Sequence, residues 1–285
     1  MPRAIDCWVN ANIGGAAGPG GAPEFLRRVN ADYFKRGDDD FFRVYGIDEL
    51  CETMDRIGVE KAILTTAAAR PDEITISYAK QRPDRFALAG QLDPRQPMKA
   101  VRALERFAGE HGAVLARITP FAIDVPPNDR IYYPVYTRCI DLGLPISINT
   151  GIPGPPAPGE CQHPMHLDKV CLHFPELVVI MAHGADPWWG EACRLMLKYA
   201  NLYLMTSAYL PKYFPPDFVH FLNTRGRHKV MYASDHPAIA MDRCLEEACK
   251  LDLRPGVLDD FLYGNAQRVL FESGGGLARG DRSTP

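Results

Sequence analysis

Four polar side chains that could do chemistry stand at the ends of apolar runs in this sequence. Asn10 ends "IDCWVN", Asn149 ends "PISIN", and His183 and Asp235 end "VVIMAH" and "MYASD". A carboxylate beside an imidazole and amide groups can remove a proton from water, bind a metal ion or hold an oxyanion. Such chemistry requires the four side chains to meet in one cavity, so it depends on the elements that carry them.

Short apolar runs alternate with amphipathic segments along the whole chain, which is the pattern of repeated strand–helix units. The predicted fold is a distorted (β/α)8 barrel, and a doubly wound sheet is the alternative. Helices are expected to begin after Asp48 and to end at Gly58, Gly112 and Gly143. The predicted strands are Ala4–Asn10, Ala62–Thr66, Phe86–Leu92, Val114–Thr119, Pro145–Thr150, Val178–His183, Leu202–Ser207 and Val230–Asp235.

Residues 1–273 are predicted to form one domain. In a barrel, the loops that follow the carboxyl ends of the strands surround the active site. Residues 11–45 and 151–162 are two long loops of this kind, so they are predicted to cover the catalytic face. Residues 274–285 are predicted to be a disordered tail because glycine and polar residues dominate them.

The composition excludes several classes of protein. The chain has 285 residues and a formal net charge of -3, which gives no general attraction to nucleic acid. No run of about 18 apolar residues could span a membrane, and "MPRAIDCWVN" lacks the apolar core of a signal peptide. The eight cysteines show no Cys-x-x-Cys spacing, so we expect reduced thiols in a cytoplasmic protein. The expected partner is a small molecule, and a homodimer is left open.

Six stretches of the chain carry a resemblance to a known family: "AIDCWVN", "MDRIGVEKAIL", "DLGLPISINTG", "FPELVVIMAHG", "YASDHP" and "FLYGNAQRVLF". With these, the chain resembles the amidohydrolase-related family of TIM-barrel enzymes, which includes aminocarboxymuconate-semialdehyde decarboxylase. The resemblance implies a barrel of the metal-dependent hydrolase type. It leaves the reaction open, because the family contains hydrolases, decarboxylases and hydratases.

The metal-ligand positions of this family are altered here. The family has Asp-x-His-x-His on the first strand, where this chain has Trp8 and Asn10 as the second and third members. Asn149 replaces a histidine on the fifth strand, whereas His183 and Asp235 match the family. The standard zinc site therefore cannot be carried over, and the chemistry has been either lost or rebuilt.

A rebuilt site could use other donors near the same strand ends. Asp6, Trp8 and Asn10 share one face if the first strand alternates regularly. Crowded carboxylates repel one another unless a cation compensates them, which predicts one or two divalent transition-metal ions, iron or zinc with manganese as a further option. The predicted metal ligands are Asp6, His183, Asp186, Asp235 and His236.

The remaining predicted roles are catalysis and substrate binding. Asp235, His183 and Asn149 are the predicted catalytic residues. Basic and aromatic residues after the strand ends could meet an anionic or bulky substrate. The predicted substrate-binding residues are Trp8, Asn10, Arg27, Arg28, Arg117, Trp189, Tyr209 and Lys212.

Three functions compete at this level. The altered first strand and the Pro-rich loop resemble a branch of the family that includes a thioesterase from bacterial diterpenoid-antibiotic pathways, which implies hydrolysis of a bulky hydrophobic acyl-coenzyme A by metal-bound hydroxide. The second function is non-oxidative decarboxylation, with the substrate carboxylate held by the metal and Arg117. The third is a metal-free binding protein or pseudoenzyme that kept only the fold.

Overall fold

The computed structural model describes residues 2–13 and 24–272. The predicted disordered tail, 274–285, and part of the first predicted loop, 14–23, lie outside the described residues. No helix of the described part is long and apolar enough to cross a membrane. All eight cysteines are described, and all are free thiols, as the sequence predicted.

Eight parallel strands form one sheet in chain order, from β1 to β8. Three backbone hydrogen bonds then join the last strand region to the first: Cys7 N–H donates to Tyr232 O over 3.2 Å, Asp235 N–H to Trp8 O over 3.0 Å and Asn10 N–H to His236 O over 2.8 Å. These bonds close the sheet into a barrel, so the (β/α)8 prediction is confirmed and the doubly wound alternative is wrong. The strands are β1 (Ala4–Val9), β2 (Val59–Ala67), β3 (Phe86–Gln91), β4 (Leu115–Ile118), β5 (Ile146–Asn149), β6 (Val179–Ala182), β7 (Leu202–Met205) and β8 (Val230–Met231).

Helices follow each strand and pack on the outside of the barrel. Glycines in the left-handed conformation end three of them at Gly58, Gly112 and Gly143, as predicted. The helix predicted to begin after Asp48 begins two residues earlier, since Gly46 precedes its first residue. The helices are α1 (Glu24–Arg28), α2 (Asp38–Phe42), α3 (Ile47–Ile57), α4 (Glu73–Gln81), α5 (Pro97–His111), α6 (Tyr133–Leu142), α7 (His166–His173), α8 (Trp189–Lys198), α9 (Pro216–Leu222), α10 (Met241–Cys249) and α11 (Val257–Asp259).

The core has two layers. Outward-facing strand residues such as Leu64 and Val179 pack against the helices. Inward-facing residues such as Ile63, Leu115 and Ile180 fill the barrel itself. The π-helical segment Gln267–Glu272 contributes Val269 and Leu270 to that inner cluster. Because burial of apolar surface drives folding, this filling makes the barrel a rigid support for the residues at its open end.

Regular alternation fails on β1, which corrects the prediction that Asp6, Trp8 and Asn10 share a face. The pairing of β1 with β2 shifts register between Asp6 and Val9. As a result, the consecutive residues Cys7 and Trp8 both pack in the inner cluster. A bulge of this kind re-aims side chains, so counting by two across it gives the wrong face.

Candidate active site

A cavity of about 520 Å³ opens at the carboxyl ends of the strands, the face where barrel enzymes place their active sites. Most of its wall is apolar, and most of its polar groups come from the ends of β5, β6, β7 and β8 and the segments that follow them, with Tyr33 added from the segment after β1. Its lining residues are Ile13, Leu26, Val29, Tyr33, Phe34, Phe41, Phe121, Asn149, Thr150, Ile152, Pro153, Gly154, Pro155, Gln162, His183, Asp186, Pro187, Ala208, Tyr209, Asp235 and Ala238.

Asp235 places a carboxylate in this cavity just beyond β8. The side-chain amide of Asn10 donates to its Oδ1 over 3.0 Å. Burial raises the pKa of Asp235 to about 7, while the Asn10 bond and the positive charge of Arg117 oppose that rise. A carboxyl group that titrates near neutrality can both accept and donate a proton, which suits acid–base catalysis.

His183 lines the same cavity, just beyond β6. Its backbone N–H donates to Ser207 Oγ over 3.1 Å, and its ring packs 4.5 Å from that of Trp8. Burial and the nearby Arg117 cation lower the pKa of His183 to about 3. The ring is therefore neutral at physiological pH, so one of its nitrogens can donate a hydrogen bond and the other can accept one.

Backbone strain marks the same strand ends. His183, Ala208 and Asp235 have φ of 65°, 64° and 64°, in the left-handed region that non-glycine residues seldom adopt. They follow β6, β7 and β8, and all three line the cavity. Such conformations persist where the surrounding structure imposes them, and they cluster at functional sites.

Asn149 brings an amide to the cavity from the end of β5. Its side chain is buried, and its Oδ1 has no hydrogen-bond partner among the described residues. A buried unpaired amide oxygen is costly. The amide is therefore suited to bind a ligand, and its catalytic role stays a prediction.

Asp186 forms another part of the wall, and its position is fixed by its own loop. Trp189 Nε1–H donates to Asp186 Oδ1 over 3.0 Å. Trp189 can pack there because Gly184 has no side chain, since a Cβ at Gly184 would lie 2.3 Å from the indole. Trp189 is buried against Phe218 and Tyr209 and does not line the cavity. Its predicted substrate contact is thus replaced by a structural role.

Asp6 does not reach the cavity, which corrects its predicted place among the metal ligands. Its carboxylate accepts from Ser234 Oγ over 2.5 Å, Ser234 N–H over 2.9 Å and Trp8 N–H over 3.2 Å. Burial raises the pKa of Asp6 to about 6, although these bonds oppose the rise. Asp6 therefore joins β1 to the segment after β8.

His236, the chain neighbour of Asp235, does not line the cavity either. It is buried with its ring 4.4 Å from that of Tyr45. Burial lowers the pKa of His236 to about 4. Within residues 2–13 and 24–272, no three His, Cys, Asp or Glu side chains form a group that could hold a metal ion. The five predicted ligands are thus not brought together.

Arg117 lies inside the barrel below the cavity and is completely buried. Its guanidinium carbon stands 3.5 Å from the centre of the Trp8 ring, and its Nη2 donates to Cys7 O over 2.6 Å. Neither Arg117 nor Trp8 lines the cavity. The inner core encloses both of them, so the structure does not bring either predicted substrate-binding residue to the cavity wall.

The other predicted cationic contacts stay outside the cavity. Arg27 and Arg28 are exposed on α1, and Arg27 pairs with Asp38. Lys212 is exposed and stands over its neighbour Tyr213. Of the predicted substrate-binding residues, Tyr209 lines the cavity, whereas Asn10 acts through its bond to Asp235.

The sequence prediction assigned the long loop after β1 to the catalytic face but named none of its apolar residues that form the cavity wall. Val29, Tyr33 and Phe34 come from the π-helical segment Val29–Phe34, and Phe41 comes from α2. All four lie in the long loop that was predicted to cover the catalytic face. For Val29, Tyr33 and Phe34, the apolar spacing within "VNADYF" was the available signal, since one side of a helical turn carries them.

A family model described as "Amidohydrolase" matches residues 5–271. No curated protein matches the chain significantly.

Solved structures with the same fold include three of interest. An uncharacterised TIM-barrel protein from Bordetella bronchiseptica is 24% identical, with a TM-score of 0.79, and the match covers 96% of this chain and 100% of the other. A 5-carboxyvanillate decarboxylase from Sphingomonas paucimobilis is 19% identical, with a TM-score of 0.72 and coverage of 95% and 99%. A dihydroxybenzoic acid decarboxylase from Polaromonas, with bound manganese and 2-nitroresorcinol, is 18% identical, with a TM-score of 0.66 and coverage of 95% and 97%. At these identities the likeness shows the fold.

Proposed function

Because the chain belongs to the amidohydrolase family, we propose that it is an enzyme and that Asp235 is its acid–base residue. The observation that carries this proposal is the carboxylate of Asp235 in an apolar cavity, held by Asn10 and accompanied by His183. The strained backbone of both cavity residues supports it, since strain of this kind is kept where a site requires it.

The charges of the wall favour a neutral substrate. Asp186 and Asp235 line the cavity, and its described lining contains no lysine or arginine. Residues 14–23, which lie outside the described part, contain no lysine or arginine either. An anion would therefore meet carboxylates with no lysine or arginine in the described wall to bind it. A neutral, largely apolar acyl compound such as an ester or thioester suits the volume and the wall.

Hydrolysis of such a compound follows from the residues present. The Asp235 carboxylate accepts a proton from a water molecule while the water oxygen forms a bond to the carbonyl carbon. The carbonyl oxygen becomes an oxyanion, which the Asn149 amide or the His183 ring can stabilise by donating an N–H. The tetrahedral intermediate then collapses, the bond to the leaving oxygen or sulfur breaks, and the Asp235 carboxyl group returns the proton to the leaving group.

The divalent metal of related enzymes does not fit the donors that this chain offers. Trp8 has no lone pair to donate, Asn10 donates its amide to Asp235, and Asp6 is committed to Ser234. No step is therefore routed through a metal.

Decarboxylation is the second candidate. It is favoured by the fold shared with the two decarboxylases and by the raised pKa of Asp235. A protonated Asp235 could transfer its proton to the carbon that bears the carboxylate, after which the carbon–carbon bond breaks and carbon dioxide leaves. The absence of a cation in the described lining counts against this candidate, because its substrate is an anion.

A paired substrate panel tests these assignments. One arm holds neutral aryl esters, aryl thioesters and a coenzyme A thioester with a bulky acyl group, with release of acid and thiol measured. The other arm holds hydroxybenzoates, with release of carbon dioxide measured. We expect turnover in the first arm, lost in Asp235→Asn and kept in Asp242→Asn, an exposed aspartate paired with Arg56 on the barrel exterior. Turnover only in the second arm would establish the decarboxylase, and turnover unaffected by Asp235→Asn would contradict the role of Asp235.

A further inference from the structure

The first strand has lost the groups that bind metal in the family it resembles. Trp8 stands at one histidine position, and an indole can only donate a hydrogen bond. Asn10 stands at the other, and its amide nitrogen donates to Asp235 Oδ1 over 3.0 Å and to His236 O over 3.1 Å. Neither position therefore offers the imidazole nitrogen that binds metal in the family.

A fixed cation stands against the first of these positions. The guanidinium of Arg117 stacks 3.5 Å from the Trp8 ring centre, an arrangement in which the ring stabilises the charge. Arg117 belongs to β4, and its guanidinium contacts three further strands. Nη2 donates to Cys7 O on β1. Nη1 donates to Ser147 Oγ on β5 over 3.2 Å and to Met205 Sδ on β7 over 3.6 Å. The group is therefore built into the barrel.

The positive charge of Arg117 is compensated by carboxylates that do not form an ion pair with it. Among the described residues no carboxylate lies within ion-pair distance of it. Two carboxylates lie close to it through these contacts: Asp6 precedes Cys7 in the chain, and the backbone N–H of Asp235 donates to Trp8 O over 3.0 Å. Both negative charges raise the pKa of Arg117 against the effect of burial. A buried cation needs such compensation, since leaving it alone in the core is costly. A divalent ion placed beside Asp235 would add repulsion from Arg117 in a region of low dielectric.

We propose that Arg117 is the permanent cation of this site, that it takes over the compensation of Asp235 from the metal of related enzymes, and that the protein works without a divalent metal. Arg117 acts through Asp235 and does not touch substrate, so it is a positioning residue. The proposal concerns the charge of the site, and it holds for hydrolysis and for decarboxylation alike.

Metal analysis of the full-length protein is the direct test. The protein is purified without chelator and without a metal-affinity tag, and its manganese, iron and zinc are measured by elemental analysis. Unfolding temperature is then recorded with added Mn²⁺ or Zn²⁺ and after chelation. We expect metal far below one ion per chain, no saturable rise in unfolding temperature and no change on chelation. One ion per chain, removed by chelator with a fall in unfolding temperature, would overturn the proposal whatever the enzyme's reaction.

Charge variants of Arg117 test the coupling to Asp235. Arg117→Met removes the charge and keeps an unbranched chain, and Arg117→Lys keeps the charge. The pKa of Asp235 is read from the carboxyl chemical shift in NMR titrations. We expect a rise of about one unit in Arg117→Met and a smaller change in Arg117→Lys. An unchanged pKa in a folded Arg117→Met protein would refute the coupling. If Arg117→Met fails to fold, the comparison is made between Arg117→Lys and wild type, and the metal analysis decides the remainder.

Discussion

The side-chain amide of Asn10 donates a hydrogen bond to Oδ1 of Asp235 over 3.0 Å, and so ties the end of the first strand to the end of the last at the cavity. This bond opposes the rise in the pKa of Asp235 that burial causes. It therefore links Asn10, where the chain departs from the family pattern, to Asp235, where the chain matches it.

Removing this bond should move the pH dependence of the reaction. As a general base in hydrolysis, Asp235 must be ionised, so activity of the wild type should rise as pH increases through about 7. Asn10→Ala removes a donor that favours the ionised form, so its midpoint should lie higher by about one unit. The measurement is kcat/KM from pH 5 to 9. Asn223→Ala, which alters an exposed amide bonded to Asp252 O, is the matched control and should leave the midpoint unchanged. Activity that falls above pH 7 would indicate that Asp235 acts as an acid.

Replacement of the carboxyl group itself should stop catalysis without unfolding the protein. Asp235→Asn keeps the shape and the contact with Asn10 but cannot take a proton. We expect kcat to fall by about 100-fold or more, the scale of a lost acid–base group. Circular dichroism and turnover are measured on the same preparation. Near-normal kcat would show that another residue handles the proton.

The same variant should make stability less dependent on pH. The folded-state pKa of Asp235 is raised to about 7, above about 3.9 in an unfolded chain. Its favourable contribution is therefore complete below pH 4 and is lost as pH rises through 7, because the ionised form is disfavoured in the fold. Asp235→Asn should match the wild type in acid and exceed its free energy of unfolding at pH 8, by up to ~4 kcal/mol. Denaturant unfolding at about pH 3.5 and at pH 8 measures the two free energies. An equal difference between variant and wild type at both pH values would be evidence against a raised pKa.

Gly184→Ala should destabilise the loop that holds Asp186. Gly184 has φ of 70°, and a Cβ there would lie 2.3 Å from the Trp189 ring. Overpacking and the left-handed backbone together should cost roughly 2–4 kcal/mol. The control is Gly190→Ala on α8, where a Cβ meets nothing within 4 Å and stability should be unchanged or higher. Denaturant unfolding of both variants provides the comparison, and equal effects would contradict the packing argument.

Restoring the family histidines should harm the protein. In Trp8→His with Asn10→His, a smaller ring replaces the indole that covers Arg117, and the donor to Asp235 is lost. We expect a loss of several kcal/mol in stability and lower activity, even if zinc now binds. Unfolding temperature, zinc content and turnover are measured together. A gain of turnover with unchanged unfolding temperature would mean that Trp8 marks a decayed site.

The sequence by itself determined the architecture and the residues at its open end. The apolar runs predicted eight strands, and the order of a (β/α)8 barrel placed His183, Asn149 and Asp235 at one cavity. These predictions succeed because strand–helix periodicity is local and the direction of each strand fixes which end reaches the catalytic face. The strand bounds were less certain: β8 spans Val230–Met231 where the prediction extended it to Asp235, because the following residues bond irregularly to β1.

Only the tertiary structure decided which polar groups remain free for chemistry. Asp6 accepts a hydrogen bond from Ser234, and Asp186 accepts one from Trp189. Arg117 donates to Cys7 O and stacks on the Trp8 ring. Apart from the Trp189 bond, these partners are distant in the chain, and a register shift on β1 reverses the face that simple alternation assigns. The type of a residue determines what its side chain can bind. Its charge and its partner depend on burial and hydrogen bonds, and these come from contacts between strands that no local pattern in the sequence encodes.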